Sequence, residues 1–421
     1  MYTSQIEAMG NLFVNHNWNE VLSTEIPDTK IEYFYDTVFH ILDTIAPMKE
    51  IKIARDEPPW MNGSIKTEIR KRNREYEKFK KSNKWRVLNK KCKQLIKTAK
   101  NNFSKNFVSN LRQSDPKTWM KNMKNLGQST FEENTHWQFV DEEKDDLTLT
   151  NEIAEYFADI SKNFVPVDET LLPIIPLGLE FISDVNCLPT EYEIYHLLKN
   201  SKKTCSVPRD IPVRIINEFL PELARPITNI YNQCITLGVF PTSWKTEYVN
   251  IIPKVYPPSG YGDLRNLSLT EFLSKRFEEF VLNGTPSIKG LMFYVEKFID
   301  RNQFAVKGSS CSHALISIIN FILKHTDDSD PPKAVTNLLA DWSKAFNKVN
   351  HNIVMRILVF LGVPQWILRI ILSYLKSRKM IVRFRGCLSK QQDIPGSVPQ
   401  GTLLGVLYIS CISTQLYFQM R

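Results

Sequence analysis

Glycine is scarce, 15 residues in 421, and no long apolar run is free of charge. The scarcity of glycine excludes collagen-like and glycine-rich low-complexity chains. The most apolar long stretch, Ile353 to Leu375, carries Arg356 and Arg369 and a central Gly-Val-Pro, so it reads as two amphipathic helices and not as a membrane span. The seven cysteines, Cys92, Cys187, Cys205, Cys234, Cys311, Cys387 and Cys411, are odd in number, and no two have metal-knuckle spacing. They read as reduced thiols of a cytosolic or nuclear protein. The seven histidines are equally dispersed, which argues against a structural zinc site. The opening residues, MYTSQIEAMGNLFVNHNWNE, contain neither a basic leader nor a long apolar core, so no signal peptide is expected there.

What is present is a globular composition with misplaced charge. Apolar residues make up 43% and aromatics 11%, enough for sizeable cores and two or three domains. The formal net charge is +9, yet the window from Ile65 to Arg112 alone holds 17 Lys and Arg against 3 Glu. The rest of the chain is therefore slightly acidic. That window has no proline or glycine, and its apolar residues recur in steps of three and four: Ile65, Ile69, Tyr76, Phe79, Leu88, Cys92, Leu95 and Ala99. The spacing predicts helix with one apolar face. Its basic faces, with Lys71, Arg72, Arg74, Lys80, Lys81, Lys84, Lys90 and Lys91, suit either a solvated hairpin or a surface that neutralises phosphates without reading sequence.

The organisation expected along the chain has four parts. Residues 1–60 form a helical segment in which IEYFYDTVFHILDTIAP is the clearest helix, and residues 61–127 are the basic helical region. Residues 128–185 are an acidic and proline-punctuated linker with one helix, placed over Asn151 to Asn163. Residues 186–421 form the largest domain. There Thr190 is positioned to cap a helix through LPTEYEIYHLLKN, EFLPELARPITNIYNQCITLG reads as two helices closed by glycine, and KTEYVNIIPKVYPP reads as a strand.

In AVTNLLADWSKAFNKVNH, from Ala334 to His351, an apolar strand-like run stops at one carboxylate, Asp341. A carboxylate at the end of a buried strand is costly unless a cation, amides or a metal meets it. An ordinary strand-end or cap carboxylate is the plain alternative. Six blocks decide between these: SVPRDIPVRIINEF, GVFPTSWKTEYVNIIPKVYPP, DLRNLSLTEFLSKRFEEFV, NQFAVKGSSCSHAL, LLADWSKAFNKVNH and SVPQGTLLGVL, in that order. Together they resemble the fingers and early palm of a reverse transcriptase of the non-LTR (LINE-like) retrotransposon kind, over roughly residues 185–409. The basic helices before them resemble the segment that precedes the polymerase in such elements.

The resemblance implies an α/β fold, a partial right-hand polymerase with fingers and an incomplete palm preceded by basic α-helices. It implies nucleotidyl transfer by two divalent ions, Mg²⁺ or Mn²⁺, with an RNA template, a DNA primer and deoxynucleoside triphosphates as partners and no membrane. Asp341 resembles the first catalytic, metal-binding aspartate. Phe346 matches the bulky residue beneath the incoming sugar that excludes a 2′-hydroxyl, a core aromatic being the alternative. The backbone at Lys344 and Ala345 would face the triphosphate. Arg265 matches the fingers arginine for the triphosphate, and Lys254 is a second cation. Asn266 replaces the family's proline, which would loosen a turn aiming Arg265. Gln400 and Gly401 border the nucleotide and template pocket, and Gly308 and Ser309 lie near the template path or in an ordinary loop.

The family's Tyr-x-Asp-Asp hairpin does not occur in these residues, which read VLYISCISTQLYFQMR after Gly405. The expectation is a polymerase fragment truncated before that motif and inactive as it stands. The alternative is a non-catalytic nucleic-acid-binding remnant acting through the basic helices.

Overall fold

The computed structural model describes residues 3–47, 60–113, 144–167, 187–199, 201, 207–208, 210–300, 302–305, 308–327, 334–337, 344–405 and 408, with side chains through 106 in the second of these segments. Two compact units divide the chain: residues 48–136, and residues 1–47 together with 137–421.

The smaller unit holds α4 (Gly63–Phe79) and α5 (Asn83–Gln113), which pack against each other. Asn62 caps α4 by accepting the Ile65 amide at 3.0 Å. Lys80, at φ 52°, breaks the helical path, and the Ser82 hydroxyl accepts the Trp85 amide to start α5. Ile65 and Cys92 are buried where the helices meet. Part of the apolar period thus forms a hairpin seam, while Tyr76 and Phe79 stay exposed and the cations occupy the outer faces.

In the larger unit three helices, α1 (Thr3–Asn15), α2 (Asn19–Ser23) and α3 (Pro27–Ile45), pack on the long α9 (Leu220–Leu237). The Lys30 ammonium is buried and held by the carbonyls of Val21 and Leu22 and by Asn229, so its charge leaves water with partners in place. Asp28 accepts the amides of Thr242 and Ser243, fixing α3 to the turn after α9. α9 ends at Gly238, which is left-handed at φ 64°. Before it come α6 (Asp146–Asp159), α7 (Glu191–Lys199) and α8 (Val213–Glu218). Thr190 and Glu193 form a reciprocal cap on α7, as expected of Thr190.

A five-stranded mixed sheet follows: β1 (Thr246–Pro253), β2 (Leu264–Leu269), β3 (Arg378–Phe384), β4 (Cys387–Leu388) and β5 (Gln392–Ile394). β1 and β2 are an antiparallel hairpin, β1 and β3 are parallel, and β4 and β5 pair with β3. The parallel pair requires a long crossover. The crossover includes α10 (Phe272–Asn283), α11 (Leu291–Val295), α12 (Cys311–Thr326), α13 (His351–Phe360) and α14 (Gln365–Leu375). The fold is mixed α/β.

The larger core joins α1–α3 and α7–α11 with α13 and α14, and the aromatic cluster of Tyr231, Phe240, Trp244 and Phe277 lies at its heart. A second core lies between α6 and one sheet face: Leu149, Ile153 and Phe157 against Val249, Leu264, Met380 and Val382. The helix expected over Asn151 to Asn163 begins earlier, because Asp145 accepts the Thr148 amide and caps it. By contrast, α12 buries no residue, and Leu315 and Phe321 are 57% and 58% exposed. Residues 334–337, the start of the strand expected before Asp341, belong to no strand among the described residues and are mostly exposed. Among the described residues no helix is long and apolar enough to cross a membrane.

Candidate functional site

Two groups of the residues singled out by sequence are brought together. The first centres on the VPQG loop. The amide of Ser397 donates to the Val349 carbonyl and that of Val398 to the Phe346 carbonyl, both at 2.9 Å. On the loop's far side the Ser268 amide of β2 donates to the Gln400 carbonyl, also at 2.9 Å. The loop therefore bridges the Phe346 segment to the free edge of β2, and Arg265 stands three residues away on that strand. Gly401 is required here. Its φ is 127°, and a β-carbon would meet the Ser268 carbonyl at 2.9 Å. Phe346 is half-buried and packs against the larger core.

Arg265 pairs with Ile252 across the hairpin and is exposed, whereas Leu264 and Ser268 on the same strand are buried. Alternation places it on the face away from α6. Asn266 does not loosen a turn: it lies in a regular ladder opposite Ile251, so the strand aims Arg265.

The second group centres on Lys344, which is left-handed at φ 57°. Its ammonium donates to the Tyr156 hydroxyl at 2.8 Å and lies 4.8 Å from the centre of that ring. Tyr156 packs against Tyr261 of the β1–β2 loop at 5.7 Å, and Tyr261 donates to Glu152 at 2.6 Å. Burial and the Glu152 carboxylate both push the Tyr261 hydroxyl upward. Lys254 reaches the same loop and donates to the Gly262 carbonyl at 3.0 Å. Lys254 thus bonds to this loop directly, and Lys344 is linked to it through the Tyr156 ring. The Lys344 carbonyl accepts the amides of Asn347 and Lys348, and Ala345 is the residue before that 3₁₀ turn.

The remaining sites are less connected. Gly308, at φ 87° in open space, and Ser309 lie in the turn that enters α12, where Ser310 accepts the His313 amide. Its hydrogen bonds are local. Lys71, Arg74, Lys80, Lys81, Lys84, Lys90 and Lys91 are exposed on the α4–α5 unit, and Arg72 is half-buried. Lys71 and Lys91 both pair with Glu68, whose carboxyl their bonds hold below its ordinary value. Asp341 lies outside the described residues. Among those described, no three His, Cys, Asp or Glu side chains gather as a metal would require.

Sequence reasoning missed Tyr156, Tyr261 and His351. The signal for Tyr156 was present: an aromatic on the polar side of the helix NEIAEYFAD. His351 is buried, and its Nε2 meets the Ser397 carbonyl at 2.5 Å, which makes it a second clamp on the VPQG loop. Burial pushes it down to about 4, so near neutral pH it is the uncharged tautomer donating from Nε2.

Curated proteins to which the chain is similar are RNA-directed DNA polymerases of mobile elements. It is 28% identical over 199 residues to the "Probable RNA-directed DNA polymerase from transposon X-element" of Drosophila melanogaster, covering 46% of this chain and 21% of that one. To the corresponding protein from transposon BS of the same species it is 27% identical over 190 residues, 44% and 20% of the two chains. To the RNA-directed DNA polymerase from mobile element jockey of Drosophila funebris it is 24% identical over 284 residues, 66% and 30%. The resemblance to non-LTR retrotransposon reverse transcriptases is borne out by these relatives. The matched region is about a fifth of the length of the first two. No family model matches the chain.

Proposed function

We propose that the chain forms the nucleotide- and template-handling part of an RNA-directed DNA polymerase, with fingers and an incomplete palm in residues 186–421 and a nucleic-acid-binding hairpin in residues 61–127. One observation carries this reading. The VPQG loop hydrogen-bonds on one side to the Phe346 segment and on the other to the strand of Arg265, uniting three motifs spread over about 135 residues.

The described side chains supply electrostatics and shape. Arg265, exposed on a rigid strand, offers a planar guanidinium to phosphate oxygens. Lys254 at the Gly262 carbonyl and Lys344 over the Tyr156 ring add two ammonium groups. Phe346, supported by the core from below, would limit the room at a sugar 2′-position. Gly401 lets backbone approach where a side chain would intrude. The exposed lysines of the α4–α5 unit would hold RNA and DNA backbones. Divalent ions would supply Lewis-acid chemistry for nucleotidyl transfer. The described residues do not contain a ligand set for them, and Asp341, the acid the resemblance assigns, lies outside that set.

The test is binding of a deoxynucleoside triphosphate to the chain with a template–primer duplex, comparing Arg265→Ala and Phe346→Ala. Arg265→Ala should weaken binding of any triphosphate about tenfold or more, and Phe346→Ala should narrow the preference for deoxyribose. Equal binding by all three proteins rejects the assignment.

A further inference from the structure

The bend of the α4–α5 hairpin carries three aromatic rings, two of them largely in solvent. Tyr76 and Phe79, three residues apart, share one face of the last turn of α4. They are 41% and 63% exposed. Trp85, in the first turn of α5, is half-buried, and its ring lies 5.6 Å from that of Tyr76. Among the described residues of this unit the buried apolar side chains are Ile65 and Cys92, which lie along the seam and not at the bend. The exposed rings therefore gain little from the hairpin's own packing.

The bend itself is firmly built. The Ser82 hydroxyl accepts the Trp85 amide at 3.1 Å and donates to Glu75 at 3.0 Å, so one side chain ties the start of α5 to the end of α4. The Lys80 amide donates to the Tyr76 carbonyl at 2.8 Å and closes α4. An aromatic side chain has only two torsions to fix, so contact with its face costs little conformational entropy.

Cations surround these rings. From Arg74 to Arg86 the sequence holds six Lys and Arg against two Glu. The Lys80 ammonium lies 5.7 Å from the centre of the Tyr76 ring. Lys84 pairs with Glu75 at 3.6 Å, and Lys78, Lys81 and Arg86 are exposed. An acidic peptide would answer the lysines and leave the rings in water. A duplex would answer them too, but each of its bases is covered by its neighbours in the stack. A strand with unpaired bases offers phosphates and free base faces together.

We propose that Tyr76 and Phe79 form a stacking platform for the bases of an unpaired nucleic-acid strand, whose phosphates the surrounding lysines hold. This deepens the nucleic-acid reading of the hairpin given above and rests on it. Every base has a π face, so the platform separates unpaired from paired strands without reading sequence. Stacking carries no charge, whereas the lysine contacts release counterions, so salt distinguishes the two parts of the surface.

The experiment titrates the full chain with an unpaired RNA strand and with the same strand annealed to its complement, comparing native protein with the double variant Tyr76→Leu, Phe79→Leu. Leucine keeps apolar bulk and helix propensity and removes the π face. The double variant should bind the unpaired strand about tenfold or more weakly. Its duplex affinity should stay within about twofold of native, and its log–log salt slope should be unchanged for both ligands. Phe79→Leu alone, at the more exposed position, serves where the double variant loses helix, and it should cost about fivefold. Tyr76→Phe, which keeps the ring, should bind as native protein does. Ultraviolet crosslinking of the native complex should join the unpaired strand to a peptide that contains Tyr76 or Phe79. Native-like binding of the unpaired strand by the leucine variants overturns the platform, and so do equal losses for strand and duplex or a changed salt slope. If the platform fails while the native chain still binds both ligands in a salt-dependent way, the phosphate-binding reading of the hairpin stands. A chain that binds neither ligand at low salt removes both.

Discussion

The ammonium of Lys344 donates to the hydroxyl of Tyr156 and lies over the same ring, across 188 residues of sequence. Both side chains are half-buried, so solvent screens the contact only in part. A double-mutant cycle with Tyr156→Leu and Lys344→Met should give a coupling of about 0.5–1.5 kcal/mol in urea unfolding. Tyr156→Phe should retain the ring share of it. Additive effects would mean that the contact does not form in solution.

Stability should depend on pH with a sign set by buried carboxyls. Glu278 is pushed up to about 7 by burial, and the coupled pair Asp210 and Glu271 is also pushed upward, burial again the cause. A raised carboxyl binds its proton more tightly in the folded state. Its contribution is therefore fully present below the ordinary carboxyl range and is lost as pH rises through about 7 for Glu278. His351, lowered to about 4, works in the opposite direction: its contribution is complete above the ordinary histidine value and is lost as pH falls toward 4. Glu278→Gln should remove about 1–3 kcal/mol of the decline between pH 5 and 7.5, read from urea midpoints at each pH. An unchanged slope would show that Glu278 does not titrate in this range.

Two phenylalanines should respond very differently. Phe277 is fully buried, with the Tyr231 ring at 4.9 Å, and Phe277→Ala should cost about 3–5 kcal/mol. Phe321 stands exposed on α12, and Phe321→Ala should stay within about 0.5 kcal/mol. Thermal unfolding of the two variants checks both. A large loss at Phe321 would mean that α12 is covered in solution.

Nucleic-acid binding should be steeply salt-dependent and indifferent to sequence. Lys80, Lys81 and Lys84 cluster at the exposed bend between α4 and α5. Replacing all three by alanine should weaken duplex binding and flatten the log–log salt slope by up to about 0.9 for each phosphate that is no longer neutralised. The measurement is a titration of the full chain at several salt concentrations between about 50 and 200 mM. The same slope in native and variant chains would move the binding surface elsewhere.

Local chemistry was legible in the sequence. The apolar period marked α4 and α5, Thr190 marked the start of α7, Gly238 marked the end of α9, and alternation marked β1, because helix and strand period, caps and left-handed turns depend on neighbours a few residues apart. The order of the six blocks also identified the homologues, while the extent of α6 and the regular strand beneath Arg265 emerged from caps and ladder pairing. What tertiary structure alone decided was which distant groups share a low-dielectric space. Nothing in SKRFEEF or SRKMIV marks Glu278 or Arg378 as buried. They are 100 residues apart, and only the packing of α10, α14 and the sheet removes water from both. A charge taken from water must find a partner, and Arg378 finds the Tyr374 carbonyl and the Glu247 carboxylate, which only the fold brings to it.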